Sequence, residues 1–137
     1  VGLPWAMGVS FANPGERIVS VSGDGGFLFS AMELETAVRE KCNFTHFVWQ
    51  DKRYDMVYEQ ELTKYNRGSG VDFGALNMPA FAEGFGAKGF VLDDPDDFSE
   101  MFKEAESISG PVLINVPIDY SDNPGLFELL HDSFENH

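Results

Sequence analysis

Residues 18–26 read Ile18-Val19-Ser20-Val21-Ser22-Gly23-Asp24-Gly25-Gly26, a short apolar run that is followed by an acid set among glycines. A second apolar run, Phe44 to Trp49, is followed by another acid, Asp51. Runs of this kind are typical of buried parallel strands. If the two strands are neighbours, the acids that follow them lie at the same edge of a sheet, where open α/β folds bind ligands. The stretch therefore predicts an α/β fold with a site beyond its strand ends.

Helical patterns alternate with such strands along the whole chain. Two further strands are predicted at Gly89 to Leu92 and Val112 to Val116. Six helices are predicted. The first three are Pro4 to Ala12, a helix that begins with a Ser30 and Glu33 capping box and runs through Val38, and Met56 to Tyr65. The other three are Pro79 to Phe85, a helix from an Asp94-Pro95 start through Ala105, and Pro124 to Leu130. This alternation predicts one domain, residues 1–137, with a three-layer α/β/α fold and a mostly parallel sheet.

The composition limits the partners. The chain has 9 Lys and Arg against 23 Asp and Glu, a net charge of -14, and this excludes nucleic acid and anionic membranes as expected partners. The single Cys42 rules out an internal disulfide, and no signal peptide or long apolar stretch is visible, so we expect a cytoplasmic protein. Residues 2–7 already read like the start of a helix, which predicts a piece cut from a longer protein.

The glycine-rich segment Gly23 to Gly26 has a chemistry of its own. Glycine lets backbone N–H groups approach phosphate oxygens closely, whereas a carboxylate among them repels a bare phosphate. The combination is favourable when a divalent cation lies between acid and phosphate, and Mg²⁺ takes carboxylates and phosphate oxygens as ligands. Taken alone, the segment also fits an ordinary strand-to-helix turn. Asp51, 27 residues after Asp24, supplies the second carboxylate.

The arrangement resembles the cofactor motif of thiamine diphosphate enzymes, in which Gly-Asp-Gly is followed by a polar metal ligand at the end of the next strand. The usual ligand is the second Asn of an Asn-Asn pair, and this chain has Gln50-Asp51 instead. An Asp there resembles the catabolic, flavin-independent acetolactate synthases of acetoin and butanediol formation. Segments similar to that branch are Val19 to Val38, Tyr54 to Val57, Lys64 to Arg67, Val71 to Gly74 and Val116 to Asn123.

The resemblance implies a set of metal and diphosphate ligands. Asp24 and Asp51 would bind Mg²⁺ through their carboxylates, and Arg53 through its main-chain carbonyl. Gly25 and Gly26 would offer backbone N–H groups to the diphosphate of thiamine diphosphate.

The resemblance also implies contacts around this centre. Gly23 would allow the turn, Tyr54 would lie at the cofactor, and Met56 and Val57 would flank its thiazolium side. Gln60 is a candidate catalytic residue that could hydrogen-bond substrate or intermediate; the alternative is an exposed helix residue.

For the parent enzyme, the resemblance implies conversion of two pyruvate molecules into 2-acetolactate and CO₂. The main catalytic Glu is expected in another domain, so we expect this chain to be inactive without the missing pyrimidine-binding and middle domains. The parent is expected to be a homo-oligomer. Two alternatives stay open: another thiamine diphosphate enzyme, such as a pyruvate oxidase or 2-oxo acid decarboxylase, and a non-catalytic module that binds Mg-nucleotide or mediates assembly.

Three further residues invite a functional interpretation but have a simpler one. His46 lies within an apolar strand, and we expect a core histidine with one hydrogen bond. Trp5 and Trp49 could stack on a cofactor, but packing in the core or at an interface is the expectation for both.

Overall fold

A computed structural model describes residues 1–121 as alternating strands and helices. The four strands are β1 (Ile18–Gly23), β2 (Phe44–Gln50), β3 (Lys88–Val91) and β4 (Val112–Pro117). The six α-helices are α1 (Gly2–Ala12), α2 (Asp24–Leu28), α3 (Glu33–Arg39), α4 (Asp55–Tyr65), α5 (Met78–Gly84) and α6 (Phe98–Ser107). The predicted helix at Pro124 to Leu130 lies outside the described residues. Within residues 1–121, no helix is both long enough and apolar enough to span a bilayer.

The strands form one sheet in the order β1-β2-β4-β3, and every pairing is parallel. Ile18 lies opposite Phe44 at the start of the first pair, and Gly23 lies opposite Trp49 near its end. Nearly all side chains of β2 are buried, whereas those of β1, at the sheet edge, alternate between half-buried and exposed. The predicted α/β fold with its parallel sheet is confirmed.

Apolar side chains cover both faces of the sheet. The first core packs α1, α3 and α5 against one face, and its largest fully buried members include Leu3, Phe27, Leu34 and Phe44. The second core packs α6 against the other face and includes Phe47, Leu92, Ala105, Val112 and Ile114. Two cores on opposite faces of one sheet give the predicted three layers.

Near the first strand one local prediction was wrong and one short helix was missed. The capping box does not form, because α3 begins at Glu33 with Met32 before it and without a side-chain cap. The Ser30 hydroxyl is buried without a hydrogen-bond partner, and only the Ser30 carbonyl accepts from Glu33 N at 3.0 Å. The short helix α2 was not predicted, because Gly25 and Gly26 are poor helix formers. By contrast, Asp94 Oδ1 accepts from Asp96 N at 2.9 Å, as expected for an N-cap, and the helix it caps is a 3-10 turn, Pro95–Asp97, that leads into α6.

Apolar side chains remain exposed on the described part of the chain. All of the exposed residues of α1 are apolar or glycine. Trp5 was expected to pack either in the core or at an interface, and at 69% exposure it does not lie in the core. Other large apolar side chains with exposed surface are Val19, Val21, Phe29, Met32, Trp49, Met56 and Val57. Surface of this kind is typical of an interaction site.

Candidate functional site

The two acids meet at the carboxyl ends of β1 and β2. Asp24 follows Gly23 directly, and Asp51 follows Gln50, the last residue of β2. Since the two strands are parallel neighbours in register, their ends lie side by side. The structure therefore brings together the two carboxylates that the sequence singled out.

Asp24 is held by backbone donors from both strand ends. Its side chain is 1% exposed. Oδ1 accepts from its neighbour Gly25 N at 2.7 Å, and Oδ2 accepts from Lys52 N at 2.8 Å. The second bond joins the β1 turn to the β2 turn across the sheet edge. A carboxylate with two N–H donors and almost no access to water has a fixed orientation.

Asp51 lies in a setting that disfavours its charge. Burial raises the pKa of its carboxyl group to about 6, and the negative charge of Asp24 acts in the same direction, as do a hydrogen bond with Asp24 and the charge of Asp55. Two carboxylates that raise each other's proton affinity form a site in which a cation is favourable. Perturbed acids in a cleft are also typical of functional sites.

The segment after Asp51 is held by hydrogen bonds to residues 71–73. Phe73 N donates to Lys52 O at 2.8 Å, and Tyr54 N donates to Val71 O at 2.9 Å. Arg53 lies between these bonds and pairs with Asp72, with Nε 2.6 Å from Oδ1. Its guanidinium carbon also lies 3.8 Å from the centre of the Tyr58 ring.

A guanidinium is a cation with donors only, so the one group of Arg53 that can bind a metal is its main-chain carbonyl. These bonds from residues 71–73 were not predicted, although Val71 to Gly74 was among the segments with family resemblance. Contacts between residues about 20 positions apart leave no periodic signal that a sequence pattern could reveal.

Gly25 is required by the aromatic ring beside it. A Cβ at this position would lie 2.6 Å from the Tyr54 ring, too close for any side chain, and 3.4 Å from Phe73. Tyr54 and Phe73 contact each other edge to face, with ring centres 4.4 Å apart. In this structure the Gly25 N–H donates to Asp24, so a bond to a diphosphate would require it to leave that carboxylate.

A cavity of about 360 Å³ opens beside Asp51. Its polar walls include Arg53, Asp55, Tyr58 and Tyr120. Burial raises the pKa of the Tyr120 phenol, and the negative charges of Asp51, Asp55 and Asp24 add to this effect. Tyr120 is therefore a protonated hydrogen-bond donor at neutral pH, and it was not among the predicted site residues.

The remaining predicted residues lie on α4, which begins at Asp55. Met56 and Val57 are 58% and 44% exposed, and Gln60 is exposed as well. The helix has no buried residue. All three side chains can therefore contact a ligand or another domain, and their predicted roles stay predictions.

The chemistry of the donors fits a magnesium ion. Within residues 1–121, no three His, Cys, Asp or Glu side chains form a group that could hold a metal. A cation at Asp24 and Asp51 would thus take further ligands from the main chain, from water or from a bound phosphate. Two carboxylates completed by such oxygens are a usual environment for Mg²⁺.

Comparisons with known proteins identify the family. The model of the family described as "Thiamine pyrophosphate enzyme, C-terminal TPP binding domain" matches residues 1–116. An "Acetolactate synthase" from Bacillus subtilis (strain 168) is 56% identical over 126 residues, which are 92% of this chain and 22% of that protein. An "Acetolactate synthase, catabolic" from Raoultella terrigena is 48% identical over 131 residues, 96% of this chain and 23% of that protein.

A solved structure gives the same result at the level of the fold. The "Rhodococcus jostii RHA1 thiamine diphosphate-dependent 4-hydroxybenzoylformate decarboxylase" superposes with a TM-score of 0.78 at 25% sequence identity. The match covers 88% of this chain and 23% of that one. The chain therefore spans between a fifth and a quarter of the length of these relatives.

Proposed function

The chain belongs to the C-terminal TPP-binding domains of thiamine pyrophosphate enzymes, and from this we propose that it anchors the diphosphate of thiamine diphosphate through Mg²⁺. The metal ligands are the carboxylates of Asp24 and Asp51 and the main-chain carbonyl of Arg53. Gly26 and Gly25 offer N–H groups to the diphosphate after the turn that Gly23 allows.

The observation that carries this proposal is the pair of carboxylates at adjoining strand ends. Asp24 is buried and held by two backbone N–H groups, and Asp51 beside it has a pKa raised to about 6. A divalent cation between them removes the repulsion and links them to a phosphate. The hydrogen bonds from residues 71–73 hold the loop that carries the carbonyl of Arg53.

The other predicted residues surround this centre. Tyr54 packs on Gly25, and Met56 and Val57 present exposed apolar surface for the thiazolium side of the cofactor. Gln60, on the same helix, would meet the substrate. When bound, thiamine diphosphate supplies an electron sink for the decarboxylation of 2-oxo acids.

We propose further that the parent protein is an acetolactate synthase of the catabolic type. It would decarboxylate one pyruvate and join the remaining two-carbon unit to a second pyruvate, giving 2-acetolactate and CO₂. Support comes from the identities of 56% and 48% to two acetolactate synthases over more than nine-tenths of this chain. The Asp at position 51, where thiamine diphosphate enzymes usually have Asn, favours the same branch.

The partners of the chain follow from its exposed surface. The apolar side chains on α1, β1 and α4 would be covered by the pyrimidine-binding and middle domains and by other subunits of a cytoplasmic homo-oligomer. In support, the matched relatives are more than four times as long as the matched segment. No role for nucleic acid or membrane is proposed.

Calorimetric titration with thiamine diphosphate, with and without MgCl₂, tests the anchoring role. We expect Mg²⁺-dependent binding that Asp24→Ala and Asp51→Ala both abolish. Asp96→Ala removes the same charge from an exposed helix start and serves as the matched control, with binding unchanged. Binding that survives in both site variants would reject the site, and preferential binding of Mg-ATP would favour a nucleotide-binding module.

Product analysis tests the activity of the parent. Incubation of the full-length enzyme with pyruvate, Mg²⁺ and thiamine diphosphate, in aerated phosphate buffer so that each alternative product can form, should give acetolactate. Acetyl phosphate would instead identify a pyruvate oxidase, and acetaldehyde a 2-oxo acid decarboxylase.

A further inference from the structure

A polar group lies buried between β1 and β2, on the face of the sheet that carries the first core. His46 has no exposed surface. Its Nδ1 lies 2.6 Å from Ser20 Oγ, and its Nε2 lies 2.9 Å from Ser22 Oγ. We call these three residues the serine–histidine network. The expected core histidine is thus present, but with two hydrogen bonds rather than one.

The network leads directly to the candidate cation site. Ser20 lies opposite His46 in the parallel pairing, so the bond from His46 to Ser22 runs diagonally towards the carboxyl ends. Ser22 is two residues before Asp24. The next side-chain link between the two strand ends is the bond from Lys52 N to Asp24 Oδ2.

Every polar atom of the buried ring is satisfied. Burial lowers the pKa of His46 to about 4, so the ring is neutral at pH 7. A neutral imidazole has one donor and one acceptor, and each serine hydroxyl can supply the complementary group. A fully satisfied buried network fixes both the position and the direction of its members, whereas apolar packing has no directional preference.

The serine–histidine network adds a link between β2 and β1, a strand that is otherwise weakly held. Within residues 1–121, β1 pairs with β2 alone, because it lies at the edge of the sheet. Its alternate side chains Val19 and Val21 are about half exposed, so they contribute little packing to hold the strand end. The side-chain bonds to His46 are therefore an additional link to β2 close to the turn at Gly23.

We propose that Ser22 and His46 are positioning residues for Asp24, an inference that rests on the cation-binding function proposed above. His46 holds Ser22, and Ser22 fixes the start of the turn that directs the Asp24 carboxylate towards Lys52 N and Asp51. Ser20 makes the same kind of bond four residues before Asp24. It contributes to folding but not to the orientation of the carboxylate.

Ser22→Ala and Ser20→Ala form a matched pair, because each removes one hydroxyl and one bond to His46. In calorimetric titrations of the 137-residue chain with MgCl₂ at saturating thiamine diphosphate, Ser22→Ala should weaken Mg²⁺ binding about tenfold, because it loosens the turn that orients Asp24; this is the lower end of what loss of a group that orients a metal ligand costs. Ser20→Ala should change it less than about twofold. Equal effects of the two variants, or no effect of Ser22→Ala, would overturn the proposal.

A second readout needs no ligand. The amide protons of Gly25 and Lys52 donate to Asp24, so their NMR resonances and exchange rates report where its carboxylate lies. Ser22→Ala should shift both resonances and speed their exchange, while Ser20→Ala leaves them unchanged; unchanged amides in Ser22→Ala would contradict the positioning role. If the unmodified chain binds no Mg²⁺ but the amides respond as expected, the proposed function fails and the positioning role stands.

Ser22→Cys provides the same comparison if Ser22→Ala does not fold. It keeps the size of the side chain and replaces the hydroxyl by a weak donor. The expected order of Mg²⁺ affinity is then Ser20→Ala above Ser22→Cys, and the reverse order would count against the proposal.

Discussion

At the scale of single residues, two titratable groups near the site have pKa values shifted in opposite directions. Burial lowers the pKa of His46 to about 4, from 6.5, and raises that of Asp51 to about 6, from 3.8. In both cases the folded protein disfavours the charged form. Protonation therefore destabilises the fold at His46 and stabilises it at Asp51, and the two effects oppose each other as the pH falls.

The stability of an Asp51→Asn variant should reveal the contribution of His46. Its folded pKa lies below the unfolded value, so the unfolded state binds the proton first, and stability present above pH 6.5 is lost as the pH falls towards 4. We expect a loss of about 2 kcal/mol between about pH 7.5 and about pH 5 in urea unfolding. Adding His46→Gln should flatten this slope; an equal slope in both variants would show that His46 is not the source.

At the scale of elements, Arg17 joins segments that are far apart in the sequence. From the residue before β1, its guanidinium donates to Thr45 Oγ1 at 2.9 Å, to Asn43 Oδ1 at 2.8 Å and to Ile108 O at 2.6 Å. These bonds tie the amino-terminal ends of β1 and β2 to the segment between α6 and β4. The sheet is thus fastened at the end opposite to the candidate site.

Replacing Arg17 should therefore be costly. Arg17→Ala leaves several partly buried acceptors without a donor, and we expect the free energy of unfolding to fall by about 2–3 kcal/mol. Arg39→Ala is the matched control, because its ion pairs with Glu35 and Glu40 are exposed and should be worth less than about 1 kcal/mol. Chemical denaturation of both variants provides the measurement, and similar losses would contradict the role assigned to Arg17.

The contact between β3 and α5 depends on a glycine. A Cβ at Gly89 would lie 2.4 Å from Pro79 Cα, which is backbone and cannot move aside. Gly89→Ala should therefore destabilise the chain by about 1–3 kcal/mol. Gly84 is a helical residue at which an added Cβ would have no packing neighbour within 4 Å, so Gly84→Ala should be neutral or raise stability by up to about 1 kcal/mol. Thermal unfolding of the two variants tests the difference, and a tolerated Gly89→Ala would refute the close approach.

Features that depend on residues close together in the sequence were easier to predict than features that depend on distant ones. All four strands were located to within one residue at either end, because buried parallel strands are short continuous apolar runs. The Asp94 cap was correct because its bond to Asp96 N is local. The Ser30 capping box was wrong although its pattern is equally local, since the chain forms a further turn before α3 begins at Glu33.

The same distinction holds within the candidate site. The meeting of Asp24 and Asp51 was predictable from two strand ends and a parallel sheet. The packing of Tyr54 on Gly25 and the bonds from residues 71–73 to Lys52 and Tyr54 were not, because they depend on how a distant segment folds back. Tyr120 was missed for the same reason: it enters the site from beyond β4.

At the scale of the whole molecule, the proposed function assigns to the described residues one half of a reaction site. They place two carboxylates, a main-chain carbonyl and a polar cavity at one edge of the sheet, and they leave apolar surface exposed on α1, β1 and α4. The family resemblance places the Glu that activates the cofactor in a different domain. None of the predicted site residues of this chain has that role. Binding and turnover should therefore be separable in this chain.

We accordingly expect the 137-residue chain to bind Mg²⁺ and thiamine diphosphate but to form no acetolactate from pyruvate. In the proposed function the anchoring groups orient the diphosphate, and the family resemblance implies that the group that activates the ring comes from another domain. The assay is acetolactate formation at saturating Mg²⁺ and cofactor, with the full-length parent as the positive control and its Asp24→Ala variant as the negative one. Activity should appear only when the remaining domains are present. Robust turnover by the chain alone would show that all catalytic groups lie within these residues, and the division between anchoring and activation would then be wrong.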